Sequence, residues 1–332
     1  MTIPPPSGRC LSTLGDIRAG EYFSAAARRR LWNGRKVSPV LEFDRARFGQ
    51  LRRENARRIS ISGIQDKISL RLEKNRLAPT TEDGEFILKP IPGLEGVDLV
   101  DDVPANEHVT MQIAAQVFRL PSASNGLISF PDGAPAYVVR RFDRSAETGV
   151  KLHQEDFCQL SGRSPDTGGP NYKYDASYEE IGELLYRYCA AARVESLKLY
   201  QLVLFNYFIG NGDAHLKNFS LLEGSDGDML LSPAYDLLNT SVHFPNESRT
   251  ALELFRNYET PEFGKNGFYT SADFRELGKR FKLPGKQIEG ALATCIGSLP
   301  AVEALVGRSY LSEEAQRRFL AIVVDRRRAL ES

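Results

Sequence analysis

An α+β chain, β-rich in its N-terminal half and helical in its C-terminal half, is the fold class that the sequence predicts, on three observations. Short runs with the alternation of half-buried strands fall early, at residues 68–73, 85–90, 126–130 and 136–144. Helical spacing takes over later, in the almost wholly apolar residues 199–209 and again at 271–281, 285–299 and 312–330. In between comes a polar turn, Gly210-Asn211-Gly212-Asp213-Ala214-His215-Leu216-Lys217-Asn218. Two apolar runs follow it, 219–222 and 229–231, around the hairpin punctuation Glu223-Gly224-Ser225-Asp226-Gly227-Asp228.

The polar turn carries the chemistry. Residues 199–209 read as a core helix that delivers it to a fixed place, and the hairpin returns Asp236 beside Asn218. Phosphoryl transfer from ATP requires this residue set: Asp213 to accept or orient the hydroxyl proton, Asn218 and Asp236 to hold Mg²⁺ against the phosphates. Asp and Asn also cluster in ordinary turns, because their side chains bond their own backbone, so the motif gains its weight from the helix and hairpin around it. The expected architecture is therefore α+β, bilobal and protein-kinase-like, with a β-rich N-lobe and a helical C-lobe. Residues 1–58 are expected to form an N-terminal segment packing on the N-lobe, 59–144 the N-lobe and 145–332 the C-lobe.

Composition bounds the rest. At 332 residues and 42% hydrophobic, the chain is long enough for two lobes with separate cores. Lys and Arg (43) balance Asp and Glu (43), so attraction of the whole surface to nucleic acid is not implied. Cys10, Cys158, Cys189 and Cys295 form no CxxC pair and have no His at ligand spacing, which argues against zinc and for buried thiols in a reducing compartment. The N-terminus has neither a basic start nor an apolar core, and no run of apolar residues is long enough to span a bilayer, so a cytoplasmic chain without membrane partners is expected. No repeat or low-complexity tract appears.

Going along the chain, the Arg-rich segments 24–32 and 45–58 read either as solvated faces or as a docking surface. Ser60-Ile61-Ser62-Gly63-Ile64-Gln65-Asp66-Lys67 is a small-residue turn before a strand, a loop that can lay backbone N–H groups against phosphate oxygens. Lys89 ends the strand at 85–90, where a kinase lysine reaches the α- and β-phosphates. Pro104 starts a helix predicted over 105–118, with Glu107 in its first turn; that carboxylate either favours the positive helix end or pairs with Lys89. Arg140 to Arg144 follow the last strand, where a hinge would fall. Residues 164–175 are flexible by composition, either a plain surface loop or a segment that orders on substrate. His153 and Asp156 read as a structural capping turn. His215 reads as a brace for the turn rather than a proton carrier.

These motifs together resemble the HipA family of bacterial toxin kinases. Ser60 to Lys67, Phe86-Ile87-Leu88-Lys89-Pro90, Asn106-Glu107, Arg141-Phe142-Asp143-Arg144, His153 to Gln159, Asn211 to Asn218 and Ala234-Tyr235-Asp236 fall in the family's order, covering roughly residues 58–240. The resemblance implies a phosphate-binding loop that includes Ser62, Gly63, Ile64, Gln65 and Lys67. It makes Lys89 the ATP lysine, with Glu107 its partner and His215 beside the nucleotide, and Arg140 and Phe142 the hinge positions whose backbone meets adenine. Asp213 matches the catalytic aspartate, and Asn218 and Asp236 the Mg²⁺ ligands. Ser60 sits where the family carries its regulatory autophosphorylated serine. Ser62 departs from HipA itself and matches the Ser-x-Ser pair of the shorter HipT kinases, as does the short stretch before the loop.

A HipT-like arrangement implies a HipS-like antitoxin and a HipB-like DNA-binding protein as partners, with DNA met only through the latter. The implied acceptor is an aminoacyl-tRNA synthetase, the tryptophanyl enzyme expected. A phosphate on Ser60 or Ser62 would add about −1.5 to −2 charge to the loop that must cradle ATP, so phosphorylated loop and nucleotide would exclude each other. Two other readings stand beside a protein kinase. A small-molecule phosphotransferase uses a similar G-D-x-H-x-x-N loop but lacks the serine loop. A catalytically silent nucleotide-binding module would have no need of Lys89, Asp213, Asn218 and Asp236 together.

Overall fold

The computed structural model describes residues 8–55, 66–145 and 148–332. Ser60, Ser62, Gly63, Ile64 and Gln65 lie outside the described residues. The chain divides into two compact units: Met1–Ile113 with Ala123–Phe142 and Ala304–Arg317, and Ala114–Ser122 with Asp143–Glu303 and Arg318–Ser332.

The first unit is built on an antiparallel sheet. Helices α1 (Ala25–Trp32) and α2 (Arg45–Asn55) precede strands β1 (Ile68–Glu73), β2 (Arg76–Pro79) and β3 (Phe86–Pro90). Helix α3 (Val103–Gln116) follows, and then β4 (Asn125–Ser129) and β5 (Pro135–Arg140). Among the described residues these strands form a five-stranded sheet in the order β2-β1-β3-β5-β4. The register opposes Lys89 to Tyr137 and Phe86 to Arg140. Trp32 of α1 packs on Phe86 at 5.1 Å between ring centroids, so the Arg-rich α1 is amphipathic and seats its apolar side on the sheet. Residues before α1 lie along β4: Leu127 N–H donates to Leu11 O (2.8 Å) and the Ser12 hydroxyl to Asn125 O (2.7 Å). Helix α3 begins at Val103, earlier than the Pro104 rule predicts, because Pro lacks only an N–H that the first turn leaves unbonded anyway. Glu107 consequently lies beyond the first turn, correcting the helix-end expectation for its carboxylate.

The second unit is mainly helical. Strand β6 (Gln154–Asp156) leads into α4 (Phe157–Leu160), α5 (Pro165–Gly168), α6 (Tyr178–Tyr188) and α7 (Ala192–Ile209). The hairpin β7 (Ser220–Glu223) and β8 (Met229–Leu231) pairs with β6 in the order β6-β7-β8. Helices α8 (Pro261–Asn266), α9 (Ser271–Arg280) and α10 (Gly285–Gly297) come next, then α11 (Leu299–Gly307) and α12 (Glu313–Glu331), which both contribute residues to each unit. The core centres on α7, whose residues 202–209 are all buried, with Phe118 against Phe205 and Phe208. Two helices escape the sequence pattern. Helix α8 sits in the stretch expected to be irregular, started by Thr260 as N-cap and Pro261. The helix expected to end at Leu299 breaks at Ser298 and continues as α11.

Asp156 caps α4 in a reciprocal box with Gln159, as its turn-like motif suggests, while His153 is exposed and pairs with Glu155 at 2.9 Å. All four cysteines are buried free thiols. Among the described residues no single helix is long and apolar enough to cross a membrane; α10 and α11 reach that length and composition only together, across a 44° bend.

Candidate active site

In the first unit the functional side chains converge on one buried ion pair. Lys89 Nζ lies 2.6 Å from Glu107 Oε1, with the side chains only 8% and 2% exposed. Sheet register puts Lys89 opposite Tyr137, and the ammonium sits 5.6 Å from the centre of that ring. Taking two charges out of water costs several kcal/mol per ion, which hydrophobic residues of the same size would not incur. The pair fixes the ammonium in place on the sheet.

The other predicted residues of this unit are placed less tellingly. Lys67 is half-buried just before β1, next to Asp66, which pairs with Arg52 at 2.8 Å. Arg140 spends its guanidinium on Arg30 O (3.1 Å) and Asn33 Oδ1 (2.5 Å). Its own N–H donates to Ser124 O, and that of Arg141 to Glu85 O, so these two donors are committed within the sheet. Phe142 follows directly and is half-buried.

In the second unit the turn after α7 is held by its glycines and asparagines. Gly210 ends the helix at φ +80°, and a Cβ there would stand 2.5 Å from Ile322 and 2.8 Å from Asn239. A Cβ on Gly212 would meet Glu247 and the Ser248 carbonyl at 2.6 Å. Asn211 donates to Asn206 Oδ1 (2.8 Å) and accepts from the Asp213 N–H (3.2 Å), while the Gly212 N–H donates to Thr240 Oγ1 (2.7 Å). The hydroxyls of Thr240 and Ser241 donate to Glu247 Oε1; burial pushes that carboxyl up, and these two hydrogen bonds oppose the rise.

Asp213 accepts a hydrogen bond from the Tyr174 hydroxyl at 2.6 Å. His215 is buried, its ring meeting that of Tyr174 edge-on at 5.2 Å. Burial lowers its imidazole to about 4, against the pull of Asp213, so His215 is neutral near pH 7 and suited to bracing the turn. Asn218 Oδ1 accepts the His215 N–H at 3.0 Å, which closes the short 3₁₀ turn Leu216–Asn218 and leaves the amide oxygen a second lone pair. Tyr235 donates to Lys217 O at 2.7 Å, tying the residue before Asp236 to the same turn. Asp236 itself takes φ +55°, a left-handed conformation uncommon outside glycine and concentrated at functional sites.

Two oxygen donors, the Asn218 amide and the Asp236 carboxylate, fit a hard cation such as Mg²⁺, which is usually held by few protein ligands together with substrate phosphates. Within the stretch 164–175, what sequence reasoning missed is the contact of residues 172–174 with the turn of Asp213. The Tyr-Lys-Tyr run in this Gly- and Pro-rich stretch was the available signal.

The family described as HipA-like C-terminal domain matches residues 59–302, and the chain belongs to it. A Haemophilus influenzae relative, named a kinase by inference, is 27% identical over 308 residues, 88% of this chain and 87% of its own. The inferred kinase Y4mE of Sinorhizobium fredii is 34% identical over 70% of this chain and 54% of its own. HipA of Shewanella oneidensis, named a serine/threonine-protein kinase toxin, is 26% identical over 64% of this chain, which spans 49% of that protein. The solved complex of Shewanella oneidensis HipA with HipB and its operator DNA aligns at a TM-score of 0.62 and 21% identity, covering 82% of this chain and 65% of the other. The fold is thus protein-kinase-like, a β-rich unit and a helical unit as expected from the sequence.

Proposed function

We propose that the chain is an ATP-dependent serine/threonine protein kinase and acts as a toxin. The observation that supports this reading is the buried Lys89–Glu107 pair, an ammonium held by a helix carboxylate, the arrangement that a kinase lysine serving nucleotide phosphates requires. Asp213 takes the proton of the acceptor hydroxyl as its oxygen attacks the γ-phosphorus. The bond from that phosphorus to the bridging β–γ oxygen breaks, and ADP leaves with its electron pair. Asn218 and Asp236 would hold Mg²⁺, which would supply charge neutralisation on the phosphate oxygens. Ser62, Gly63, Ile64, Gln65 and Lys67 form the phosphate loop, and Arg140 and Phe142 flank the adenine.

The finer reading is a HipT-like kinase of a three-component system. Its acceptor is a serine of an aminoacyl-tRNA synthetase, the tryptophanyl enzyme first, and it autophosphorylates on Ser60 and Ser62. Its partners are a HipS-like antitoxin and a HipB-like DNA-binding protein; the Shewanella oneidensis HipA complex with HipB supports a partner of the second kind. Growth arrest on expression, relieved by Asp213→Gln and by Asp236→Gln, is the expected result. Arrest that persists in both variants would contradict the reading.

A further inference from the structure

The segment between α5 and α6, open in the sequence between a plain loop and a segment that orders on substrate, contacts the turn of Asp213 at several points. Lys217 Nζ donates to the Tyr172 hydroxyl at 3.0 Å. The Leu216 N–H donates to Lys173 O at 3.2 Å. Tyr174 places its hydroxyl 2.6 Å from Asp213 Oδ1 and its ring edge-on to His215. Three consecutive residues thus meet four positions of the turn, Asp213, His215, Leu216 and Lys217, through side chain, backbone and side chain in turn.

We infer that Tyr174 is a positioning residue for phosphoryl transfer, orienting the Asp213 carboxylate through its hydroxyl; this rests on Asp213 being the catalytic base. A carboxylate on a two-torsion side chain can rotate, and a base must face its proton within hydrogen-bond reach. The Tyr174 hydroxyl fixes Oδ1, while Oδ2 accepts no hydrogen bond among the described residues and Asp213 stays partly accessible, so one oxygen is held and the other is left to an incoming hydroxyl. Desolvation and the bond to Asp213 both push the phenol well above the usual tyrosine range, which keeps the hydroxyl a donor. The neighbouring Lys173 ammonium lies 4.8 Å from the centre of the Tyr174 ring and within electrostatic reach of Asp213 and Asp236.

The alternative use of this geometry is a plug, in which Tyr174 takes the acceptor's place and must leave before transfer. The two predict opposite effects for Tyr174→Phe, which keeps the ring and loses the hydroxyl. The test measures phosphate transferred from labelled ATP into proteins of a desalted bacterial extract by the full chain, at varied ATP, together with the melting temperature. Positioning predicts that Tyr174→Phe lowers the maximal rate about ten- to a hundredfold, as misplacement of a catalytic group does. The ATP concentration at half-saturation and the melting temperature stay near wild type, and Tyr172→Phe, which loses only the Lys217 contact, falls less. A faster Tyr174→Phe, an unchanged one, or phosphate mapped to Tyr174 in the wild type would each overturn the inference. Asp213→Asn is run in parallel: if it transfers as wild type does, the reading of Asp213 as base has failed, and the inference falls with it.

Discussion

Lys89 and Glu107 meet at 2.6 Å inside the first unit, a strand-borne ammonium answered by a helix-borne carboxylate with almost no solvent on either. Each half of such a pair stabilises the other, and neither is well tolerated alone.

Glu107→Ala should therefore destabilise the chain by about 3–5 kcal/mol, because it removes the carboxylate paired with a buried ammonium. The double variant Lys89→Met with Glu107→Leu should recover most of that loss, yet show no phosphoryl transfer. Chemical denaturation of the three proteins measures the first effect, and labelled-ATP transfer the second.

His108 supplies a pH dependence. Its Nε2 lies 2.8 Å from Ser12 O, Nδ1 has no hydrogen-bond partner among the described residues, and burial lowers the imidazole to about 4. The unfolded chain, titrating near 6.5, binds the proton that the folded chain refuses between these values, so stability is full above about 6.5 and lost as pH falls toward 4. The loss attributable to His108 is on the order of 3 kcal/mol. His108→Gln, which keeps a donor for Ser12, should remove part of the fall in unfolding free energy over that range and leave the part that His215, lowered to about the same value, contributes.

Gly210→Ala should cost about 1–3 kcal/mol and lower transfer activity more than that loss explains. The new methyl group meets Ile322 and Asn239 at a backbone φ of +80°, and what shifts to admit it is the turn leading to Asp213. Melting temperature and transfer rate, measured together, separate the two effects.

The serine loop predicts its own modification. Intact mass of the purified chain should show phosphate on Ser60, Ser62 or both, absent from Asp213→Gln. An unmodified wild type with full transfer activity would remove the regulatory role of these serines.

Much of this was readable from local pattern. The strands of the first unit, the core helix α7, the β7–β8 hairpin and the Asp213 turn follow from alternation, helical spacing and turn residues, which act over a few neighbours. What escaped depends on distant partners. The pairing of Ser12 with Asn125 and His108, and of Asp102 with Ser312, joins residues far apart in sequence and leaves no periodic trace. Glu107 carries two readings in the sequence, the helix end or Lys89, and only the contact at 2.6 Å between the two side chains decides for Lys89. Tyr174 looked like loop composition because its one informative neighbour, Asp213, lies on the far side of two helices in the chain.

The most direct test of the central claim is transfer of the γ-phosphate from labelled ATP into bacterial extract, with wild type beside Asp213→Gln. The account predicts one or a few labelled acceptor proteins, phosphorylated on serine, with wild type and none with the variant. Label appearing only in a small molecule, or equally with both proteins, would contradict it.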